Sequence, residues 1–151
     1  MNSIYKKAKG LFEIGGINWV EDNFKVALVS NTRDYGYQHQ DSHTAMSDVP
    51  LTALAADAIL ETMVTGGAAN GKPVTFKSVS SPVKGFIVSA IIIYKDTGNA
   101  ETDLLIAYID NASGSLPLFP NGGDVVINWD QGVNKIFQFP KAVLNKSEVT
   151  Q

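Results

Sequence analysis

Short apolar runs separated by turn-forming residues dominate the chain, which is the pattern of β-strands rather than of helices. Residues 24–29 and 104–109 each predict a buried strand. Residues 85–94 are apolar at successive positions, as in a central strand covered on both faces. Residues 124–129 alternate, with Val125, Ile127 and Trp129 predicted to point inward, and residues 135–139 are expected to pair back on them. The fold class predicted is therefore mainly β, an antiparallel sandwich or barrel-like body.

One short helix is predicted at the N-terminus, over residues 3–14. Its apolar residues recur at helical spacing: Ile4, Ala8, Leu11 and Phe12. Gly15 and Gly16 end the helix. Its other faces carry Lys6, Lys7 and Lys9, which form either a solvated face or a docking surface for an acidic partner.

Two segments between the helix and the β body are harder to assign. Residues 31–50 are polar and irregular, and a stretch of that length predicts a functional or projecting loop. Residues 51–64 are rich in alanine, which favours helix, but their second half alternates in the manner of a strand. We interpret the first part as helical or irregular and the second part as strand. The dipeptide Asn70-Gly71 predicts a tight turn.

The length of 151 residues fits one domain, at roughly 150 residues per domain. We place that domain at residues 1–139, with the β body at 59–139 and a flexible polar tail at 140–151. Charged residues make up 18% of the chain, below the usual value of about 25%. Much of the surface must therefore be neutral, which suits a protein covered by neighbours.

Charge and composition exclude several classes. A net charge of −3 argues against a general nucleic-acid binder. The absence of cysteine excludes disulfides and thiolate metal sites. No signal-peptide core follows the basic N-terminus, and the longest apolar run, residues 86–94, is far shorter than the ~20 residues that span a bilayer. We expect a soluble protein made in the cytosol of the cell that expresses it, without membrane or direct nucleic-acid contact.

No stretch of the sequence strongly indicates a metal-binding or catalytic site. His39 and His43 have the spacing of two metal ligands on a helix, but the residues between them are poor helix formers. Asp103 and Asp110 flank a strand and could be a hydrolytic pair, although acids at strand ends are usually turn formers. No phosphate-binding loop or nucleophile elbow occurs. We expect no enzyme, no cofactor and no metal.

Three stretches of the chain carry a family resemblance. They occur in the order 93–98 (IYKDTG), 105–110 (LIAYID), and 121–137, which begins NGGDV and ends NKIF. Together they resemble a family of small virion structural proteins of tailed bacteriophages. The opening is similar as well, with INW at 17–19, KVALV at 25–29 and SDVP at 47–50. The resemblance covers most of the chain as far as residue 139.

The resemblance implies a non-enzymatic part of the particle. We expect a capsid decoration, or cement, protein that binds the major capsid protein lattice on the outside of the head, often as a homotrimer, and braces it. The alanine-rich segment 51–64 and the tail 140–151 depart from the family pattern. The candidate interface residues lie in the N-terminal helix and in the 31–50 segment: Ile4, Lys6, Lys7, Tyr35, Tyr37 and His39.

Two other functions stay open at this point. A neck, tail or fibre component of the same particle would share the composition and the fold. A carbohydrate-binding module could use Trp19, Tyr35 and Tyr37 as stacking platforms, although core packing is the commoner use of aromatic residues.

Overall fold

The computed structural model describes residues 3–110, 116–129 and 136–138, and it is mainly β, with 37% strand and 11% helix. Every strand pairing is antiparallel. The mainly β, antiparallel class with one short helix is therefore confirmed. The helix is α1 (Lys6–Glu13), and the strands are β1 (Ser3–Ile4), β2 (Phe24–Val29), β3 (Leu54–Leu60), β4 (Thr62–Thr65), β5 (Ala68–Gly71), β6 (Val74–Phe76), β7 (Ala90–Lys95), β8 (Leu104–Ile109), β9 (Val125–Ile127) and β10 (Phe137–Gln138).

A five-stranded sheet in the order β1-β8-β7-β2-β3 carries most of the core. β7 and β8 are buried along almost their whole length, because both faces of this hairpin are covered. β2 lies between β7 and β3 and has the bounds that its apolar run predicts. The outer edge of β8 is covered at one end by β1 and at the other by residue 45, which forms an isolated bridge to Leu104.

The remaining strands form a three-stranded sheet, β10-β5-β4, and the pair β6-β9. The prediction that residues 135–139 pair back on 124–129 is wrong, because Phe137 pairs with Ala69 of β5. The prediction of a turn at Asn70-Gly71 is also wrong. Both residues lie inside β5, and the chain turns instead at Gly66 and Gly67, whose φ angles are 60° and 78°.

The inward positions predicted for residues 124–129 are confirmed: Ile127 and Trp129 are buried, Val125 is half-buried, and Val126 is exposed. The predicted tail at 140–151 lies outside the described residues.

The N-terminal helix is shorter than the predicted 3–14. Ser3 and Ile4 are held as a strand, because they pair with Tyr108 and Ala107 of β8. Tyr5 takes the N-cap position without a side-chain cap, and the helix begins at Lys6. Its apolar face is retained, with Ala8 and Phe12 buried.

The alanine-rich segment forms a 3₁₀ turn followed by β3 and the start of β4. The turn, residues 51–53, agrees with the irregular first part that the sequence predicts. The strand begins earlier than expected, at Leu54, and it includes the alanines that favour helix by propensity. Residues 54–60 pair with the whole of β2, and this pairing outweighs the helix propensity of alanine, which is small per residue.

The segment 31–50 is fastened to the β8 edge near its C-terminal end. There Leu105 N donates to Thr44 O at 2.9 Å, and Met46 N donates to Asp103 O at 2.9 Å. Met46 and Val49 are buried against the sheet. Within the described residues, no helix has both the length and the apolar character needed to cross a bilayer.

Candidate docking face

A buried hydrogen-bond chain joins the start of α1 to the 31–50 segment. The Tyr5 hydroxyl lies 2.8 Å from the Tyr37 hydroxyl, which lies 2.7 Å from His43 Nδ1. The backbone places both phenols, because Tyr5 N donates to Ile106 O on β8 and Tyr37 N donates to Ser30 O at the end of β2. Two separate segments are thereby fixed to the same region of the sheet.

His39 lies in the middle of an aromatic cluster around this chain. Its ring stacks on Tyr108 at 4.5 Å between centroids, and it meets the Tyr5 ring edge-on at 4.9 Å. Nε2 lies 2.9 Å from Asp41 Oδ1. The other ring nitrogen, Nδ1, is buried and has no hydrogen-bond partner within the described part of the chain. The imidazole therefore packs as an aromatic ring with one polar contact toward solvent.

The phenols of this cluster remain protonated at neutral pH. Burial raises the pKa of Tyr37 to about 12, although its hydrogen bond from Tyr5 acts in the opposite direction. Burial, reinforced by the hydrogen bond to Tyr37, raises the pKa of Tyr5 further. Burial also raises the pKa of Tyr108. Because none of these hydroxyls ionises readily, they serve as hydrogen-bonding groups and not as bases.

Asp48 stabilises a turn near the C-terminal end of the 31–50 segment. Its Oδ2 accepts hydrogen bonds from Thr44 N at 2.9 Å and from Ala45 N at 3.2 Å. These two backbone donors hold the pKa of the carboxyl below its ordinary value. The charged carboxylate thus stabilises the turn that leads residues 44–46 along β8.

The structure gathers most of the predicted interface residues at one place. We call this the N-terminal face: Ile4, Lys6, Lys7, Lys9, Tyr37, His39 and His43. Lys6 and Lys7 are exposed, while Ile4 and His39 are half-buried. Tyr37 is only 1% exposed, so its ring packs beneath the N-terminal face and is not available to a binding partner.

Tyr35 takes no part in this face. Its ring stacks on Phe86 at 5.3 Å, and its backbone oxygen accepts a hydrogen bond from the Thr52 hydroxyl. Sequence reasoning missed Tyr5, Asp41 and Tyr108, which complete the cluster. Tyr5 and Tyr108 lie in an apolar helix and strand pattern, where an aromatic residue predicts core packing.

The two histidines do not act as a pair. Residues 39–43 are not helical, so the spacing of His39 and His43 does not bring their rings onto one helix face. The His39 ring contacts the Asp41 carboxylate, and the His43 ring contacts the Tyr37 hydroxyl. In the described ranges, no group of three or more histidines and carboxylates is placed to hold a metal ion.

Asp103, one of the two acids considered for hydrolysis, has a structural role. It is 8% exposed, and Oδ1 accepts hydrogen bonds from Thr97 N and Thr97 Oγ1, each at 2.7 Å. This contact closes the β7–β8 turn. Trp19, one of the candidate stacking platforms, is also buried, and its Nε1 donates to Met63 O and Asn70 O at 2.9 and 3.1 Å.

A cleft of about 660 Å³ lies at the end of β2 and β3, away from β1. Three ion pairs lie in it or at its border: Lys95–Asp22 at 3.3 Å, Lys72–Glu61 at 3.5 Å and Lys25–Asp96 at 3.7 Å. Two apolar side chains in it are unusually exposed, Val20 at 59% and Ile59 at 73%. We call this surface the charged cleft; its charged lining consists of Glu21, Asp22, Glu61, Asp96, Lys25 and Lys72.

Comparison with models of known protein families, with curated proteins and with solved structures finds no match to this chain.

Proposed function

We propose that the chain is a non-enzymatic structural component of a tailed-phage virion, a decoration or cement protein that binds the major capsid protein lattice. In this proposal the protein lies on the outside of the head, makes no direct contact with nucleic acid or membrane, and forms a homotrimer. The resemblance in sequence suggests this role, and the arrangement of the resembling segments is the observation that carries it.

Two of the three resembling stretches are neighbours in the fold. Residues 93–98 and 105–110 contain the end of β7, the start of the turn after it and most of β8. Ile93 pairs with Ala107 and Tyr94 with Leu105, and β7 and β8 are the most deeply buried strands of the large sheet. The similarity is thus concentrated in residues that determine the core, where it would reflect a shared fold. We propose as well that the sheets stack in the manner of a β-sandwich.

A cement role requires many weak contacts repeated over a lattice. Each copy would bridge several capsid subunits, so that avidity replaces the affinity of a single site. The N-terminal face fits such a contact, because Lys6, Lys7 and Lys9 are exposed while the tyrosine cluster beneath them keeps the surface rigid. A rigid surface loses little conformational entropy on docking.

The copy number per virion tests this proposal. Quantitative mass spectrometry of purified particles should find hundreds of copies, and tailless heads should retain them. About a dozen copies that leave with the tails would instead indicate a neck, tail or fibre component.

Particles that lack the protein provide a second test. They should assemble normally but break at lower temperature or under osmotic shock, because the braces between capsid subunits are missing. Equal robustness with and without the protein would reject the cement role.

A further inference from the structure

We infer that residues 37–43 form an acid-released clasp, which holds the start of α1 against β8 at neutral pH and detaches when its two histidines take up protons. The chain has two histidines, and both lie in this segment, His39 and His43. Imidazole is the side chain whose charge ordinarily changes between about pH 5 and pH 8. Release would change the shape of the N-terminal face whether or not the protein belongs to a virion.

Backbone hydrogen bonds and the two imidazoles attach the clasp to its surroundings. Lys6 N, at the start of α1, donates to Asp41 O at 3.1 Å, and Tyr37 N donates to Ser30 O at 2.8 Å. Between these two bonds, the imidazoles contact tyrosine side chains of the α1 N-cap, of β8 and of the clasp itself. The protonation state of the two rings therefore bears directly on the attachment.

His43 lies at the end of a hydrogen-bond chain that accommodates two protons. The chain runs from the Tyr5 hydroxyl through the Tyr37 hydroxyl to His43 Nδ1, over contacts of 2.8 and 2.7 Å. When the ring is neutral and carries its proton on Nε2, Tyr5 donates to Tyr37 and Tyr37 donates to Nδ1. A cationic ring adds a third proton, on Nδ1. Tyr5 is fully buried and its hydroxyl has no second partner among the residues described, so one buried N–H or O–H is left without an acceptor.

His39 also fits the clasp only as a neutral ring. Its Nε2 lies 2.9 Å from Asp41 Oδ1, and its buried Nδ1 has no partner in the described ranges. Protonation places an N–H at Nδ1, and a buried donor without an acceptor loses the hydrogen bonds that it would make with water. Turning the ring over in place would put Cε1 where Nε2 meets Asp41. The charged ring therefore keeps its carboxylate only by leaving Nδ1–H buried.

Nearby charges offset this cost only in part. Asp41, beside His39, is 56% exposed, and Asp48, near His43, is exposed as well, so water and salt weaken their attraction for a cationic ring. The other titratable groups on the elements packed against the rings are phenols, ammonium groups and the carboxylates that flank β8: Tyr5, Tyr37, Tyr108, Lys6, Lys7, Lys9, Asp103 and Asp110. None of these carboxylates lies within hydrogen-bond distance of His39 Nδ1 or of the Tyr5 hydroxyl.

Acid therefore favours the released clasp. The attached clasp accommodates only uncharged rings, whereas a released segment binds protons freely, so the attachment weakens as the pH falls from about 7 to about 5. Release breaks the bond between Lys6 N and Asp41 O and uncovers the Tyr108 ring. The bonds of residues 44–46 to β8 contain no histidine and are kept.

Hydrogen exchange of wild-type protein, followed by NMR at about pH 7.5 and about pH 5, tests the clasp. Each rate is divided by the intrinsic rate at the same pH. The protection of the Lys6 and Tyr37 amides should fall about tenfold or more in acid, which is the effect expected of one buried donor without an acceptor. The Ser89 amide, which donates to Val29 O at 3.0 Å outside the clasp, should keep its protection.

A histidine-free chain is the matched control. In His39→Phe/His43→Asn, phenylalanine fills the stack on Tyr108, and the asparagine oxygen takes the place of Nδ1 as acceptor for Tyr37. Both reporter amides should stay protected at both pH values. Equal loss of protection in this variant and in wild type would show that the imidazoles are not the cause.

The histidine ring signals of the wild type provide a measurement that needs no substitution. Their titration between about pH 7.5 and about pH 5 should coincide with the loss of protection at Lys6 and Tyr37. Imidazoles that titrate while both amides keep their protection would overturn the inference.

Discussion

Tyr5 and Tyr37 share a buried hydrogen bond of 2.8 Å although 32 positions separate them in the chain. Tyr5 occupies the N-cap position of α1, and Tyr37 lies in a segment without regular structure. The bond fixes both to the β8 edge and connects them to His43. The shape of the N-terminal face therefore depends on a contact in its interior.

Replacing Tyr37 by phenylalanine should destabilise the protein by about 1–3 kcal/mol. The ring would still pack, but the hydroxyl of Tyr5 and Nδ1 of His43 would both lose their partner, and a buried polar group without a partner is costly. Urea denaturation followed by circular dichroism measures the change. Tyr35→Phe is the matched control, because the Tyr35 hydroxyl has no hydrogen-bond partner among the residues described. Equal stabilities of the two variants would contradict this account.

The central strands could be predicted because their signal is local. β8 is a continuous apolar run, and β2 is apolar except at Lys25; each strand begins and ends where its run does. The strand at 54–60 gave a conflicting signal, because its alanines favour helix while its neighbours in space favour a strand. No local pattern could reveal that β2 would lie beside it.

The N-terminal face could be predicted only in part from the sequence, for a related reason. A 3.6-residue period separates the exposed from the buried positions of an amphipathic helix, so it predicts Lys6 and Lys7 at the surface. The aromatic cluster consists of residues from three separate segments, and only the fold brings Tyr5, His39 and Tyr108 together. The polar 31–50 segment predicts Tyr37 as an interface residue, whereas its side chain is buried.

The Asp48 carboxylate should make the stability of the 44–48 turn depend on pH. Its folded pKa lies below the unfolded value of about 3.9. The stabilisation is therefore complete above that value and is lost as the pH falls through the folded pKa. Asp48→Asn should be less stable than wild type at pH 6, and the difference should shrink below about pH 4.

Urea midpoints measured between pH 2.5 and pH 6 check this prediction. Asp34→Asn serves as the control, because Asp34 is exposed and its side chain has no hydrogen bond or ion pair within the described ranges. A difference between wild type and Asp48→Asn that is constant over the whole pH range would show that the charge of Asp48 has no role in the turn.

Trp19 joins the loop after α1 to the hairpin of β4 and β5. Its Nε1 donates to the backbone oxygens of Met63 and Asn70, and its ring packs on Phe24 at 4.8 Å between centroids. Trp19→Phe should cost about 1–3 kcal/mol, because two partly buried carbonyls lose their donor. Hydrogen exchange should also accelerate in β4 and β5. Val20→Ala, at the exposed neighbouring position, should change the stability by less than about 0.5 kcal/mol.

Two glycines should respond in opposite ways to substitution by alanine. A Cβ at Gly36 would overlap the backbone of Thr32, to which Gly36 N donates a hydrogen bond of 2.7 Å, so Gly36→Ala must displace the chain just before Tyr37. The expected loss is about 2 kcal/mol or more. A Cβ at Gly10 meets nothing within 4 Å, and Gly10 lies inside α1. Gly10→Ala should stabilise the protein by about 0.5–1 kcal/mol through helix propensity.

Thermal denaturation of both variants beside wild type distinguishes the two mechanisms. Gly36→Ala should lower the melting temperature, and it should also loosen the Tyr5–Tyr37 contact, which faster exchange of the Tyr37 amide would report. Gly10→Ala should raise the melting temperature and leave that amide unchanged, because the helix keeps its position on β8. If both variants were equally stable, close packing of Gly36 against Thr32 would not be what positions Tyr37 beneath the N-terminal face.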